Sequence, residues 1–471
     1  MKIVFVVIVV LVACATVRGL TVVQNTSTPE GIVSTARAFL SGELMQGTKW
    51  NKPFFAFRPS LPGSKYGASS WLWDQSAQMT VLSRLNVTEA VLCLRTMLQW
   101  QDASGFIPEI VNWGDQTLAQ EAAFEAYYGN QQITPITRSP VLGFALAAMV
   151  GAVQTQSDKA ALISEFLGPI VRYNDWWLRT RDPFDIGLVS IVHSWESGMD
   201  ASPAYDEAYG LKTAQPWFLE LYPRFVELCL EYHAAFNWNL DEIVNRNGTG
   251  TNTFMDYFSV YDTSVNSILA GSYRLASDLA SAAGDASLAQ HCKRRQLALE
   301  SAIVANLWLP SENRFASALY ARNGQLFPAR AETAQSLFPL LLATLPSSMV
   351  SSIVASQLTN SSRFWLNFPV PSVSAADAAF QPDFGVNGDL MWRGPTWPVQ
   401  TWYVLQGLLL HNETGVAHAL FSRWLAVVTK SGIFEQYQPI TGTTFGPEGL
   451  SMSLLIADAV CAFIPGTSGC N

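Results

Sequence analysis

Segment 193–209, HSWESGMDASPAYDEAY, sets Glu196 and Asp200 four residues apart among Trp195, Met199 and Tyr205. In a helix or a tight turn, that spacing leans both carboxylates the same way. A carboxyl beside large apolar rings has its proton affinity raised, which suits a general acid working near neutral pH. The plainer reading is a helix start carrying two solvated acids. Three more islands combine aromatic, acidic and polar residues, two of them with glycine. SSWLWDQ (69–75) holds Trp71, Trp73 and Asp74. GDLMWRGPTWPVQ (388–400) holds Asp389, Trp392, Arg393, Gly394, Trp397 and Pro398, and GIFEQYQPITG (432–442) holds Glu435 and Tyr437. Each has a structural alternative. Trp73 fits a core, Asp74 a helix N-cap, Arg393 a local ion pair, and Glu435 a solvated turn. Together they describe a sugar pocket with ring faces to stack on, polar groups for hydroxyls and two remote carboxylates. Cleaving a glycosidic bond needs that set. One acid protonates a poor leaving oxygen while the second carboxylate activates water or attacks, and their separation decides the stereochemical outcome.

Helices must bring these islands together. Apolar residues recur at three and four positions in runs such as TEAVLCLRTMLQW (88–100). The pattern predicts helices near 28–40, 74–84, 87–100, 117–128, 140–155, 158–178, 203–212, 217–236, 254–286, 289–306, 329–345, 348–358, 395–411, 413–429 and 447–463. No strand–helix alternation and no Gly-rich nucleotide loop appears. An all-α array of this size stacks as a superhelix or closes as a ring of helical hairpins. The recurring unusual loops and the lack of a fixed repeat favour the ring, with loops at one end forming one cleft. Residues 1–20 read as a signal peptide, 21–65 as a lead-in and 66–471 as one catalytic domain. The stretch 369–382 reads as a loop over the cleft.

Composition narrows the partners. The chain has 471 residues, 49 % of them hydrophobic and only 14 % charged, with 16 Trp, and a formal net charge of −9. Without a basic block, nucleic acid is excluded as a partner and a neutral or weakly charged small saccharide is expected. Lys2 followed by a short apolar run and small residues predicts a signal peptide, hence a secreted or lumenal protein. No later stretch reads as a membrane span. Sequons stand at Asn25, Asn86, Asn247, Asn360 and Asn412. With Cys14 inside the signal, five cysteines remain, and Cys461 with Cys470 suits a staple of the C-terminal tail. The histidines show no zinc spacing. No cofactor is required by the chemistry, although a structural calcium is allowed.

WLWD (71–74), WESGMDASP (195–203), WRGPTWP (392–398) and FEQYQPITG (434–442) resemble the catalytic module of glycoside hydrolase family 63, within the trehalase-like (α/α)6-barrel hydrolases. The resemblance spans roughly 66–462. It implies a six-hairpin toroid, exo-acting hydrolysis with inversion, Asp200 as general acid and Glu435 as general base. It also implies that Trp73 and Asp74 line the site of the non-reducing sugar and that Glu196, Trp392, Arg393, Gly394 and Trp397 help shape it, while Trp71, Trp195 and Tyr437 join the site from the islands' own composition. From spacing alone, Glu196 and Asp200 stand level as the acid. The size is that of the compact mannosylglycerate and glucosylglycerate hydrolases, but relatives often continue SPRWD where this chain has SPAYD (202–206), and 130–140, NQQITPITRSP, matches loosely. An α-glucosidase is the first expectation. A glycosylglycerate hydrolase, a trehalase-like enzyme and a non-catalytic sugar binder are the alternatives.

Overall fold

The computed structural model of the chain describes residues 21–64, 66–114, 118–182, 184–211, 218–243, 258–320, 325–383 and 392–470. The expected signal peptide, the Asn247 sequon and Asp389 lie outside these residues. The helices are α1 (Pro29–Glu43), α2 (Leu72–Leu85), α3 (Val87–Leu98), α4 (Leu118–Tyr128), α5 (Leu142–Ala152), α6 (Gln156–Arg181) and α7 (Phe218–Phe236). They continue with α8 (Thr263–Ala282), α9 (Ala286–Leu307), the 3-10 helix Ala334–Leu341, α10 (Ser347–Ile353), α11 (Pro398–Leu410), α12 (Thr414–Ser431) and α13 (Leu455–Phe463).

Packing follows a closed circuit. α2 packs on α5, α5 on α8, α8 on the 3-10 helix, that helix on α11, α11 on α13, and α13 back on α2. Outside this inner ring, α3 lies on α2, α6 on α5, α9 on α8, α12 on α11, and α1 on α13. The lead-in therefore supplies an outer helix of the (α/α)6 toroid.

Local sequence explains which helices stand inside. A helix buried all round has no polar face, whereas an outer helix needs only one apolar stripe. On α2 every residue but Arg84 is buried, Gln75, Ser76, Gln78, Thr80 and Ser83 included. On α9 the buried positions are Ala289, Cys292, Gln296, Leu299, Glu300, Ile303 and Leu307, a single stripe at helical spacing.

Several inner elements depart from the predicted spans: α8 begins only at Thr263, after strand Val260–Tyr261, and α13 only at Leu455, after strand Thr444–Glu448 and a 3-10 turn. The helix expected over 329–345 is the short 3-10 helix, which contains Pro339 and packs so closely on α11 that a Cβ on Gly407 would meet the Leu340 Cβ at 2.6 Å. The helix expected from 395 starts at Pro398, because a proline lacking its N–H is tolerated in the first turn. Helix 203–212 is likewise only a 3-10 turn, Pro203–Tyr205.

Short strands occupy one set of loops. Ser69–Trp71 pairs with Ile110–Asn112 and runs straight into α2, and Phe434–Tyr437 pairs antiparallel with Thr444–Glu448 ahead of α13. Cys461 and Cys470 form a disulfide that ties the tail to α13, while Cys93, Cys229 and Cys292 are buried thiols. Among the described residues no helix is long and apolar enough to cross a membrane.

Candidate active site

The WESGMD segment is not a regular helix. Residues Ser194–Ser197 form a 3-10 turn, capped by the His193 ring nitrogen accepting from the Trp195 amide at 3.1 Å. Gly198 closes it in the left-handed region at φ 79°, and its Cβ position is filled by the Trp73 ring, so no other residue fits there. That reversal separates the two acids. Glu196 is fully buried: it pairs with Arg181 and accepts the Val192 amide at 3.0 Å, bracing the turn from below. Asp200 lies past the glycine with its side chain 34 % exposed, and Arg138 reaches it at 3.2 Å. The expected common lean of the two carboxylates is broken by one positive φ.

Glu435 arrives from the opposite quarter of the ring. It sits in the Phe434–Tyr437 strand, where the register slips between Phe434 and Gln436, a bulge that re-aims the side chain between them. Glu435 is fully buried, and the Tyr66 hydroxyl donates to its Oε1 at 2.6 Å. Burial, then the Glu435 charge, and in lesser part Asp74 and Asp200, push the Tyr66 phenol well above its usual range. One hydroxyl thus feels three carboxylates from three sequence islands. They converge.

Asp74 projects from the first turn of α2, accepting from the Ser451 hydroxyl. Burial raises its proton affinity to about 6, against the opposing pull of Ser451 and Arg138 and with a further rise from Asp200. Glu109, fully buried at the entry to strand Ile110–Asn112, pairs with Arg138 Nε at 2.7 Å. Burial lifts it to about 8, with Arg138 opposing and Asp200, Glu196 and Asp74 adding.

The rings divide into two groups. Trp71 is half-buried under the Arg138 guanidinium, 5.5 Å from its centroid, with Tyr66 edge-on at 5.7 Å. Trp195 is half-buried against His193 at 4.5 Å. By contrast, Trp73, Trp392 and Trp397 form a buried stack, at 6.2 Å and then 3.8 Å, which props the Gly198 turn.

Arg393 is also turned inward, in a two-pronged buried pair with Asp206. Burial pushes Asp206 up to about 6, and Arg393 pulls against it. Gly394 is held because a Cβ would lie 2.3 Å from the Gln381 carbonyl oxygen. The Tyr437 hydroxyl donates to the Gly432 carbonyl at 2.6 Å and accepts from the Phe434 amide at 3.0 Å, closing its own strand. Asp262 joins the SPAYD loop to the ring, capping α8 at Ser264 and Val265 while accepting from Tyr205 at 2.7 Å and Gln335 at 2.6 Å.

Three residues of the cluster carry little or no signal in the sequence. Tyr66 lies in a Gly-, Ser- and Pro-rich stretch with no pattern, and Arg138 ends ITPITR. Glu109 left one usable signal, a lone acid inside the apolar run FIPEIVNW, since a charge carried into a core needs a partner. Among the described residues no group of three His, Cys, Asp or Glu side chains is arranged to hold a metal ion.

Comparison with known proteins assigns the family and the fold. The profile of the mannosylglycerate hydrolase MGH1-like glycoside hydrolase domain matches residues 67–453. The chain belongs to that family. It is a glycoside hydrolase acting on a small saccharide. A glucosylglycerate hydrolase from Mycolicibacterium hassiacum is 26 % identical over 422 residues, covering 80 % of this chain and 88 % of the relative. A mannosylglycerate hydrolase from Thermus thermophilus is 26 % identical over 433 residues, covering 82 % and 92 %. A crystal structure of a family 63 mannosylglycerate hydrolase from Thermus thermophilus, in complex with Tris and D-glycerate, superposes with a TM-score of 0.74 at 23 % identity, over 91 % of this chain and 99 % of that one. The two chains therefore share the toroid.

Proposed function

We propose that this enzyme hydrolyses the α-glycosidic bond of a mannosyl- or glucosylglycerate with inversion at the anomeric carbon. The observation that carries the substrate is the near full-length match to relatives named for these two glycosides. It favours the glycosylglycerate alternative over the α-glucosidase expected first from the sequence. In this reading Asp200, the more accessible acid, protonates the departing glycerate oxygen. Glu435, held by Tyr66, takes a proton from the water that attacks the opposite face of the sugar. The Tyr66 hydrogen bond fixes the carboxylate so that its orientation does not have to be found during the reaction. Asp74 faces the hydroxyls of the non-reducing sugar, and Trp71 and Trp195 offer ring surface to its C–H faces. Glu196, Trp73, Trp392, Arg393, Gly394, Trp397 and Tyr437 position these groups through the buried contacts described above.

The test is a panel of mannosylglycerate, glucosylglycerate, trehalose, maltose and kojibiose with purified enzyme. Highest kcat/KM on one of the two glycerates is expected. Turnover of the neutral disaccharides without the glycerates would overturn the substrate.

The chain is further read as entering the secretory pathway, from its N-terminal apolar run and the Cys461–Cys470 bridge. Asn25 and Asn412 are exposed and Asn86 and Asn360 half-buried. Glycan at Asn25 and Asn412 is expected in a eukaryotic secretory host, and an unglycosylated mass for protein exported by such cells would contradict it.

A further inference from the structure

Arg138 stands between two carboxylates of unlike exposure. Its Nε is 2.7 Å from Glu109, which is fully buried, and its Nη1 is 3.2 Å from Asp200, whose side chain is 34 % exposed. The guanidinium is itself 6 % exposed and lies over Trp71, so water does little to screen it. A guanidinium this close to a general acid is a difficulty, because it favours the ionised, spent form of that acid. Glu109 answers it. Two carboxylates around one cation leave a single excess negative charge, which one proton neutralises.

We propose that Glu109, Arg138 and Asp200 form a triad that retains one proton in common, making Glu109 a positioning residue for the acid step. This rests on Asp200 being the general acid. When the proton is on Asp200, Glu109 carries the charge that pairs with Arg138, and the acid is ready. When Asp200 passes that proton to the glycosidic oxygen, Arg138 stabilises the new Asp200 carboxylate, and Glu109 becomes the group of higher proton affinity until one proton is regained from solvent. The coupling is electrostatic and needs no hydrogen bond between the two carboxyls, so the pair titrates as a unit. The lift of Glu109 to about 8 agrees with one proton being held into the mildly alkaline range.

Among the described residues, the other titratable groups facing the triad are Asp74 on α2, Tyr66, His193 capping the 3-10 turn, Glu196 within it, Tyr209, and the buried Cys229 thiol on α7. Buried His193 is pushed down to about 3 by desolvation, with a smaller push from Arg138 against its hydrogen bond to Phe225, so it stays neutral in the working range. Glu196 is matched by Arg181.

The experiment is the pH profile of kcat/KM for the wild type, Glu109→Gln, and Glu109→Gln with Arg138→Gln. Removing Glu109's charge leaves Arg138 paired with Asp200, with Asp74 the further carboxylate it acts on. The alkaline limb of Glu109→Gln should then fall by at least about one pH unit, a tenfold loss per unit beyond it, with activity kept on the acid side. The charge-balanced double variant should bring the limb back up. A uniform loss in Glu109→Gln that leaves the limb in place would overturn the proposal, as would a double variant whose limb stays with that of Glu109→Gln. Wild-type protein supplies a reading that needs no variant to fold. Its infrared band for protonated carboxyl should lose one group between neutral and mildly alkaline pH, and a band constant across that range would also overturn the triad. Full activity in Asp200→Asn would instead refute Asp200 as the acid, a separate result.

Discussion

Two neighbouring acids in the WESGMD stretch end in opposite states because one glycine intervenes. Glu196 is sealed against Arg181, and Asp200 meets the pocket beside Arg138. Asp200→Asn and Glu435→Gln should each lower kcat by at least about 10²-fold while the circular dichroism spectrum and melting temperature stay near wild type. Tyr66→Phe should lower kcat with a smaller change in KM, since it loses the hydrogen bond that holds Glu435. Asp74 carries a stability signature of definite sign. Its affinity for a proton rises from 3.8 to about 6 on folding, so its contribution is fully present below about 4 and is lost as pH rises through about 6. Asp74→Asn removes that loss. In urea titrations its stability relative to wild type should rise by roughly 2–3 kcal/mol between pH 4 and pH 7, and a difference independent of pH would contradict the assignment.

At the scale of elements, the site is held by close approaches more than by regular helix. The Gly198 turn is propped by the Trp73–Trp392–Trp397 stack, and the SPAYD loop is held by Arg393–Asp206 and by the Asp262 cap of α8. Gly198→Ala would place a Cβ on the Trp73 ring at an unfavourable φ, costing about 2–4 kcal/mol, readable from the denaturant midpoint. Arg393→Met would strand a buried carboxylate, and the handicap should be about 3–5 kcal/mol. These elements also mark where sequence was informative. Single-stripe helices such as α3 and α9 were plain from their period, because an outer helix exposes the polar residues that mark the pattern. The inner helices blur that signal. α2 buries Gln75, Gln78, Thr80 and Ser83 beside its apolar residues, so polarity there does not report exposure. Neither the left-handed Gly198 nor the bulge at Glu435 leaves a periodic trace, yet these two features aim the acids. Tyr66, Glu109 and Arg138 are not legible in the sequence because their roles come from long-range pairing, which spacing does not encode.

The whole molecule is a ring whose closure joins α13, near the C-terminal end, to α2 and to α1. Asp74 on α2 and Ser451 just before α13 meet across that seam, so the site and the closure share residues. The disulfide Cys461–Cys470 restrains the tail at the seam. Replacing both cysteines by serine should cost about 2–3 kcal/mol by the chain-entropy estimate and leave kcat at room temperature unchanged. A fall in kcat equal to the fall in stability would place the tail in the working site.

The claim on which the rest depends is that Asp200 and Glu435 act from opposite faces of one bound sugar, with water between the sugar and Glu435. Proton NMR of the first product formed from mannosylglycerate or glucosylglycerate tests it most directly. The β-anomer should appear first and the α-anomer only later, by mutarotation. Initial release of the α-anomer would show retention and contradict the assignment of Glu435 as a base acting through water.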